Sequence, residues 1–317
     1  MKEHSSKIKN EEKKEYPNSS GVALGFFDGI HLGHKAVINA MLSAVEEENE
    51  KDSLAKIVYT FQKNPAYLFG KSVEIITTNE ERYNIIKDMG VDRVVEDDFT
   101  SVMNFSPREF VEKVLVQRFN AKKVFCGFNY HFGKGGTADS GELTRLCSLY
   151  GIEVTVVPPV VMEEITVSST EIRNFVRNGE IEKANILLDR KFGFSAVIEE
   201  GNHIGRLMNT PTINQKLPKG LVVPRFGVYT SLVTIGDKCY TGVTNIGVKP
   251  TIGDYLPLSE TWLPDYKEKD LYGEVADIRL LYFQRDERKF DNIKALEEQI
   301  KKDGEKAKIN IAKGRKS

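Results

Sequence analysis

From residue 21 to about residue 158, short β-rich runs alternate with longer stretches of helical spacing, and this pattern constrains the fold more than any other feature of the chain. The β-rich runs are 21–26, 56–61, 92–95, 123–127 and 152–157. Between them, apolar residues recur at helical spacing near 34–47, 79–89, 107–118 and 140–150. Parallel strands need crossovers and these helices supply them, so the pattern predicts an α/β domain with a parallel sheet covered by helices. Two short helices are expected next, at 170–177 and 180–188, parted by the helix stop Asn178-Gly179.

After Asp189 the texture changes. Residues 192–199, 227–235, 238–243 and 274–283 alternate in the strand manner, and Ile235-Gly236-Asp237-Lys238 reads as a hairpin turn. This half is expected to form an antiparallel β-barrel closed by a C-terminal helix near 292–303. A length of 317 residues fits two domains. The expected division is a polar tail at 1–19, the α/β domain at 20–188 and the barrel domain at 189–317, with no internal repeat.

Composition narrows the function classes. A formal net charge of -1 gives no basic field for nucleic acid or an anionic membrane. Three cysteines, Cys126, Cys147 and Cys239, are scattered and form no CxxC pair, so a reducing cytoplasm is the simplest setting. No apolar run reaches the ~18–20 residues that span a bilayer. The first residues mix Lys with Glu and lack an apolar core, so they read as a solvated tail and not as a signal peptide.

The chemistry begins at Gly25-Phe26-Phe27-Asp28-Gly29-Ile30-His31-Leu32-Gly33-His34, which ends the first strand and opens the first helix. His31 and His34 are three residues apart and share a helix face, beside free N–H groups and the positive end of the helix dipole. That is a place for phosphate. Gly29 and Gly33 lack side chains, so a nucleotide could approach the backbone closely. The same histidine pair also suits a core-facing pair or a metal site, although spacing offers no third ligand. Neither a Walker sequence nor GxGxxG occurs in the chain.

This stretch resembles the signature of the HxGH nucleotidyltransferases, in particular the bacterial FAD synthetase branch. Three further segments are similar to that branch in the right order. They are Thr60-Phe61 followed by Pro65, Gly127-Phe128-Asn129-Tyr130-His131-Phe132-Gly133 with Gly136, and Ser168-Ser169-Thr170-Glu171-Ile172-Arg173. The resemblance implies a Rossmann-like domain that joins FMN to the α-phosphorus of ATP and releases pyrophosphate. It implies catalytic roles for His31, His34, Asn129 and Arg173. Nucleotide contacts would come from Gly25, Phe27, Asp28, Gly29, Gly33, Ser169 and Thr170, and flavin contacts from Phe61, Pro65, Phe128 and Tyr130. Ser168-Ser169-Thr170 also suits plain helix capping. His131 reads as a surface loop residue.

The second half carries its own series. Gly205-Arg206, Pro211-Thr212-Ile213-Asn214, Gly227-Val228-Tyr229, Asn245–Thr251, Glu260-Thr261, Tyr272-Gly273 and Arg285-Asp286-Glu287 with Lys289-Phe290 together resemble the flavokinases. The whole chain is therefore similar to the bifunctional riboflavin kinase/FAD synthetases of bacteria. In this half the resemblance implies Glu260 as the base for the riboflavin 5′-hydroxyl and Arg285 against the flavin. Thr212 and Asn214 would bind Mg²⁺ and ATP phosphates, and Gly205 would lie in a flap over the nucleotide. Substrates and products are then ATP, riboflavin, FMN and FAD. Taken singly, Thr212 and Asn214 also suit a turn after Pro211, and Glu260 an ordinary exposed carboxylate. Departures from the family pattern are Asn209-Thr210, Ile213, Lys249 and Trp262. Two alternatives follow, a chain with one live activity and a flavin-binding regulator that has lost catalysis.

Overall fold

The computed structural model describes residues 19–46, 54–70, 74–200, 212–248, 257–266 and 271–314. The expected N-terminal tail lies almost wholly outside them. The chain divides into two compact units: the first takes the chain up to Phe26, His34–Pro65 and Ile86–Pro159, and the second takes Phe27–Gly33, Ala66–Ile85 and the chain from Val160 on.

The first unit is built on β1 (Ser20–Leu24), β2 (Ala55–Phe61), β3 (Arg93–Asp97), β4 (Ala121–Gly127) and β5 (Glu153–Val157). They form a sheet of order β3-β2-β1-β4-β5, parallel throughout. β1 is buried along its whole length, as a central parallel strand must be. The helices are α1 (Leu32–Glu46), α2 (Asn79–Asp88), α3 (Pro107–Phe110) and α4 (Ser140–Ser148); α1 and α2 have residues in both units. Ser106 and Glu109 close a capping box at the start of α3, and Pro107 occupies its first turn. The helix continues over Val111–Arg118 with wider, π-type winding. Cys126 and Cys147 pack as small apolar groups in this core, and Cys239 is exposed.

The second unit opens with a hairpin absent from the expectation, β6 (Val161–Met162) and β7 (Ile165–Thr166). Its turn is Glu163-Glu164, both at positive φ (49° and 67°), a conformation usually left to Gly or Asn. Then come α5 (Ser169–Asn178) and α6 (Ile181–Leu188). Gly179 ends α5 at φ 80°, the stop expected from Asn178-Gly179.

The remaining strands are β8 (Gly193–Val197), β9 (Thr212–Lys216), β10 (Gly227–Ile235), β11 (Lys238–Val248), β12 (Pro257–Trp262) and β13 (Val275–Arg285). Their order is β8-β13-β10-β11-β12-β9, antiparallel at every pair. A bridge from Glu199 to Asn214 brings the chain after β8 back to β9, so the sheet is a nearly closed barrel. The turn between β10 and β11 is the expected one, with Ile235 opposite Lys238. Two differences stand out. Thr212–Lys216 pairs as a strand and not as a turn, because Ile213 and Gln215 alternate into the barrel. Asn245–Val248, beyond the strand expected at 238–243, belongs to the end of β11.

The closing helix, α7 (Ile293–Gly314), runs well past its expected end at residue 303. It is fastened to the barrel at Asp303, which is 3% exposed and takes Arg285 Nε and Nη2 at 3.0 and 2.7 Å. Removing one partner of such a pair costs about 3–5 kcal/mol. Trp262 packs nearby with Val228, Val243 and Ala307. A Cβ on Gly304 would come within 2.5 Å of the Trp262 ring, so a glycine inside α7 accommodates the tryptophan.

Candidate functional site

In the parallel sheet the strand order reverses between β1 and β4, and ligands of open α/β sheets bind beyond the carboxyl ends of strands at such a point. β1 runs out into Gly25 and Phe26, and β4 into Gly127, Phe128, Asn129 and Tyr130. The strand ends are tied: Thr60 Oγ1 donates to the Phe26 carbonyl at 2.9 Å, and the Gly25 N–H donates to the Tyr59 carbonyl. Phe128 is 48% exposed, a large apolar ring offered to solvent. Tyr130 stacks on the buried Phe132 at 5.9 Å, and Phe61 meets Phe99 edge-on. Asn129 is exposed, and its carbonyl bonds His131 Nδ1 at 2.9 Å. Pro65 begins a single tight helical turn, Pro65–Phe69. An exposed aromatic ring at a switch point suits a planar ring system.

The second unit holds the loop from Phe27 to Gly33. Phe27, Gly29 and Ile30 sit at φ 57°, 84° and 40°, strained for Phe and more so for a β-branched Ile. Such residues cost roughly 1–3 kcal/mol each and persist only where surroundings over-determine them. Here they do. Asp28 Oδ1 accepts from the Ile76 N–H at 2.8 Å, and its Oδ2 from Arg173 Nη1 at 2.8 Å. Ser169 Oγ donates to the Asp28 carbonyl at 2.9 Å, the Gly29 N–H reaches Thr77 Oγ1 at 3.2 Å, and Arg190 Nη1 reaches the Gly29 carbonyl at 2.5 Å. Burial pushes the Asp28 carboxyl up from its ordinary value. The Ile76 N–H, Arg173, the Thr77 N–H and Arg82 oppose that shift.

Both glycines are closely packed by the protein itself. A Cβ on Gly29 would meet the Ile76 side chain at 3.0 Å, and one on Gly33 would meet the His31 ring at 3.2 Å. Gly33 therefore makes room for the imidazole. The same Gly33 position is 3.7 Å from the Val167 carbonyl, so the N-termini of α1 and α5 lie close together beside His31. Two helix starts give a concentration of N–H donors suited to phosphate. Ser168 caps α5 by accepting from the Glu171 N–H at 3.2 Å, Ser169 is committed to Asp28, and Thr170 is exposed. The capping expected of this triplet thus falls to Ser168.

His31 is 5% exposed. Burial first, and then the positive charges of Arg190 and Arg173, lower its imidazole to about 4. At neutral pH it is uncharged and can offer an N–H. An unfolded histidine takes its proton near 6.5, so the unfolded chain binds more protons between that value and about 4. The resulting stability is complete above the unfolded value and is lost as pH falls towards the folded one. Between pH 7 and pH 5 the chain is expected to lose about 2 kcal/mol more stability than a His31→Gln variant. Denaturant unfolding at both pH values measures this, and equal losses would refute a buried neutral His31.

On the barrel, Asn214 of β9 stands opposite Glu260 of β12, and Glu260 stands opposite Asn245 of β11. Directly opposed residues share a face, so Asn214, Glu260 and Asn245 form one row across three strands. Thr212 lies two residues from Asn214 on the same face. The alternate residues Ile213, Gln215, Ser259, Thr261 and Thr244 are buried behind them. Asn245 Nδ2 donates to Glu287 Oε1 at 3.0 Å. A Cβ on Gly247 would come within 2.4 Å of that oxygen, so Gly247 admits the Glu287 carboxylate beside the row. Arg285, expected against a ligand, has Nε and Nη2 on Asp303 and Nη1 on the Asp286 carbonyl. Gly205, Pro211 and residues 249–251 lie outside the described residues. Among the described residues no group of three His, Cys, Asp or Glu is placed to hold a metal ion, and no helix is long and apolar enough to cross a membrane.

Thr77, Arg190 and the strand position of Asn214 carry no local sequence signal. Glu287 was visible only as part of a longer series.

Comparison with known proteins adds the following. A family model for FAD synthetase matches residues 13–171, and one for riboflavin kinase matches residues 188–311. A bifunctional riboflavin kinase/FMN adenylyltransferase of Bacillus subtilis (strain 168) is 32% identical over 302 residues, covering 93% of each chain. The Escherichia coli (strain K12) protein of the same description is 29% identical, covering 89% of this chain and 90% of its own. A solved structure from Streptococcus pneumoniae, described as a macrolide-efflux protein, is 30% identical with a TM-score of 0.84 and covers 92% of this chain and 94% of its own.

Proposed function

The chain belongs to the family of bifunctional riboflavin kinase/FMN adenylyltransferases, and we propose from that premise which of its residues carry each reaction. It phosphorylates riboflavin with ATP to give FMN and ADP, then adenylylates FMN with a second ATP to give FAD and pyrophosphate.

For the kinase step the carrying observation is the row Asn214–Glu260–Asn245. The riboflavin 5′-oxygen attacks the γ-phosphorus, the bond to ADP breaks, and the hydroxyl proton passes to Glu260 as general base. The hydroxyl of Thr212, the amide oxygen of Asn214 and the Glu260 carboxylate are the hard oxygen donors that Mg²⁺ prefers, and Thr212 and Asn214 would hold it. The metal, when bound, neutralises charge on the ATP phosphates. Gly205 is assigned to the nucleotide by resemblance alone. Glu287 steadies Asn245 beside the base, a support consistent with its hydrogen bond.

For the adenylyl step the carrying observation is the over-determined loop at Asp28–Gly29, beside two helix N-termini. An FMN phosphate oxygen attacks the α-phosphorus and pyrophosphate leaves. Both reactants are already charged and reactive, so the protein supplies position and charge stabilisation. His31 donates as a neutral imidazole, and His34 follows one helical turn on. Arg173 works through Asp28, to which it is bonded, as well as through its charge. Phe61, Pro65, Phe128 and Tyr130 are assigned to the flavin, with Asn129 orienting the FMN phosphate. Their support is the exposed Phe128 ring, with Phe61 and Tyr130 partly buried, at the ends of strands at the switch point.

The division of labour falls near residue 188, a reading supported by family matches that end at 171 and resume at 188. Small molecules are the partners, and the cytoplasm is the setting that scattered thiols suit. Incubation with riboflavin, ATP and Mg²⁺, followed by separation of the flavins, is expected to show FMN first and FAD after it. FMN without FAD, or FAD only from supplied FMN, would sink the bifunctional reading.

A further inference from the structure

We propose that Arg190, inside the segment that matches riboflavin kinase, is a positioning residue for FMN adenylylation. The inference rests on the reading of the His31 loop as the adenylyl site.

α6 ends at Leu188, and Asp189 takes φ 51°, a left-handed turn that redirects the chain. The Arg190 N–H is held by the Asn185 carbonyl at 3.3 Å. Asn185 is itself fixed, donating to the Leu280 carbonyl at 3.0 Å and accepting from the Phe192 N–H at 2.6 Å. The base of the Arg190 side chain is therefore set by buried scaffold. Its guanidinium donates through Nη1 to the Gly29 carbonyl at 2.5 Å, while its Nε is buried with no hydrogen-bond partner among the described residues. Capping the loop end of α6 does not need such a group. Among the described residues, the one side-chain hydrogen bond it makes is to the Gly29 carbonyl.

That hydrogen bond falls where the loop is weakest. Gly29 has no Cβ, so the peptide joining it to Ile30 turns at less cost than its neighbours. Its carbonyl is held by Arg190 and its N–H by the Phe27 carbonyl at 3.3 Å. With both ends held, the plane of this peptide is fixed, and with it the start of the strained turn that delivers His31. Asp28 and Glu81 supply opposite charge near the guanidinium, and each is already engaged, Asp28 by Arg173 and Glu81 by Arg279 at 2.6 Å. The charge on Arg190 also favours the neutral form of His31. A residue after the adenylyltransferase match thus governs the geometry of the adenylyl loop.

The test uses the full chain with Arg190→Gln and Arg190→Lys, assaying FAD formation from FMN and FMN formation from riboflavin in the same preparations. Misplacement by about 1 Å can cost ~10²-fold. Arg190→Gln is expected to lower FAD formation by ~10–10²-fold, mainly in kcat with KM values little changed, and to leave riboflavin phosphorylation intact. Arg190→Lys, which restores a cationic donor, should recover most of the loss. Unchanged FAD formation in Arg190→Gln overturns the proposal. So does a parallel fall of both activities in a variant that melts like wild type, which would mean a general structural role. If Arg190→Gln does not fold, Arg190→Lys decides: an intact kinase with depressed FAD formation supports the proposal, and full FAD formation rejects a geometric role for the guanidinium. A His31→Ala control separates the two readings. If it stops FAD formation while Arg190→Gln does not, only this proposal fails. If wild type makes no FAD from FMN, the adenylyl reading itself fails.

Discussion

Replacing Glu260 with glutamine is expected to lower riboflavin phosphorylation by ~10²–10⁴-fold, the usual worth of a general base. Glutamine keeps the size of the side chain and can occupy the same place on β12 between Asn214 and Asn245. It removes the charge that accepts the proton of the 5′-hydroxyl. Both cross-strand neighbours are amides, so neither can take over that proton, and Glu287 is already engaged by Asn245. Riboflavin binding should change little, because the buried residues behind the row are untouched. FAD formation from supplied FMN should be preserved. Full kinase turnover in Glu260→Gln would show that another group is the base. Loss of both activities would point to a folding defect, which a denaturant midpoint would reveal.

The second large effect is expected from replacing His31 and His34 together by alanine. Loss of one preorganised donor to a developing charge commonly costs ~10²–10³-fold. Two such losses should bring FAD formation to the limit of detection while FMN formation from riboflavin survives. His31 is buried against Gly33, so its removal also leaves a small void in a strained loop. Stability must therefore be measured alongside activity. His31→Gln is the gentler partner variant, since it keeps volume and a donor N–H; FAD formation should be partly retained in it. Unchanged FAD formation in a stably folded double variant would reject the phosphate role and leave the two histidines as structural residues.

Much of this architecture was legible before any coordinates. Periodicity is local, so the strand–helix alternation up to residue 158 announced the parallel sheet, and the Gly236-Asp237 turn announced its hairpin. The Glu163-Glu164 turn was hidden because neither residue favours positive φ. Trp262, a departure in sequence, is matched by a glycine on a distant helix, and nothing near either residue advertises the pair. Nothing near Arg285 announces Asp303, eighteen residues on, which takes two of its nitrogens.

The candidate sites divide in the same way. Sequence by itself determined the identity of the chemical groups and their order along the chain: the histidines at a helix start, the Ser168–Arg173 helix entry, and the carboxylate at 260. It determined the fold class, because hydrophobic period and turn chemistry are properties of neighbouring residues. Tertiary structure alone decided which groups hold which. Asp28 meets Ile76 forty-eight residues on and Arg173 a hundred and forty-five residues on, and Gly29 is reached by Arg190 across a hundred and sixty-one. It also decided that His31 is neutral, since the burial and the guanidinium charges responsible come from segments far apart in the chain. Hydrogen bonds and charge act through space, and a contact between remote residues leaves no periodic trace in the sequence of either.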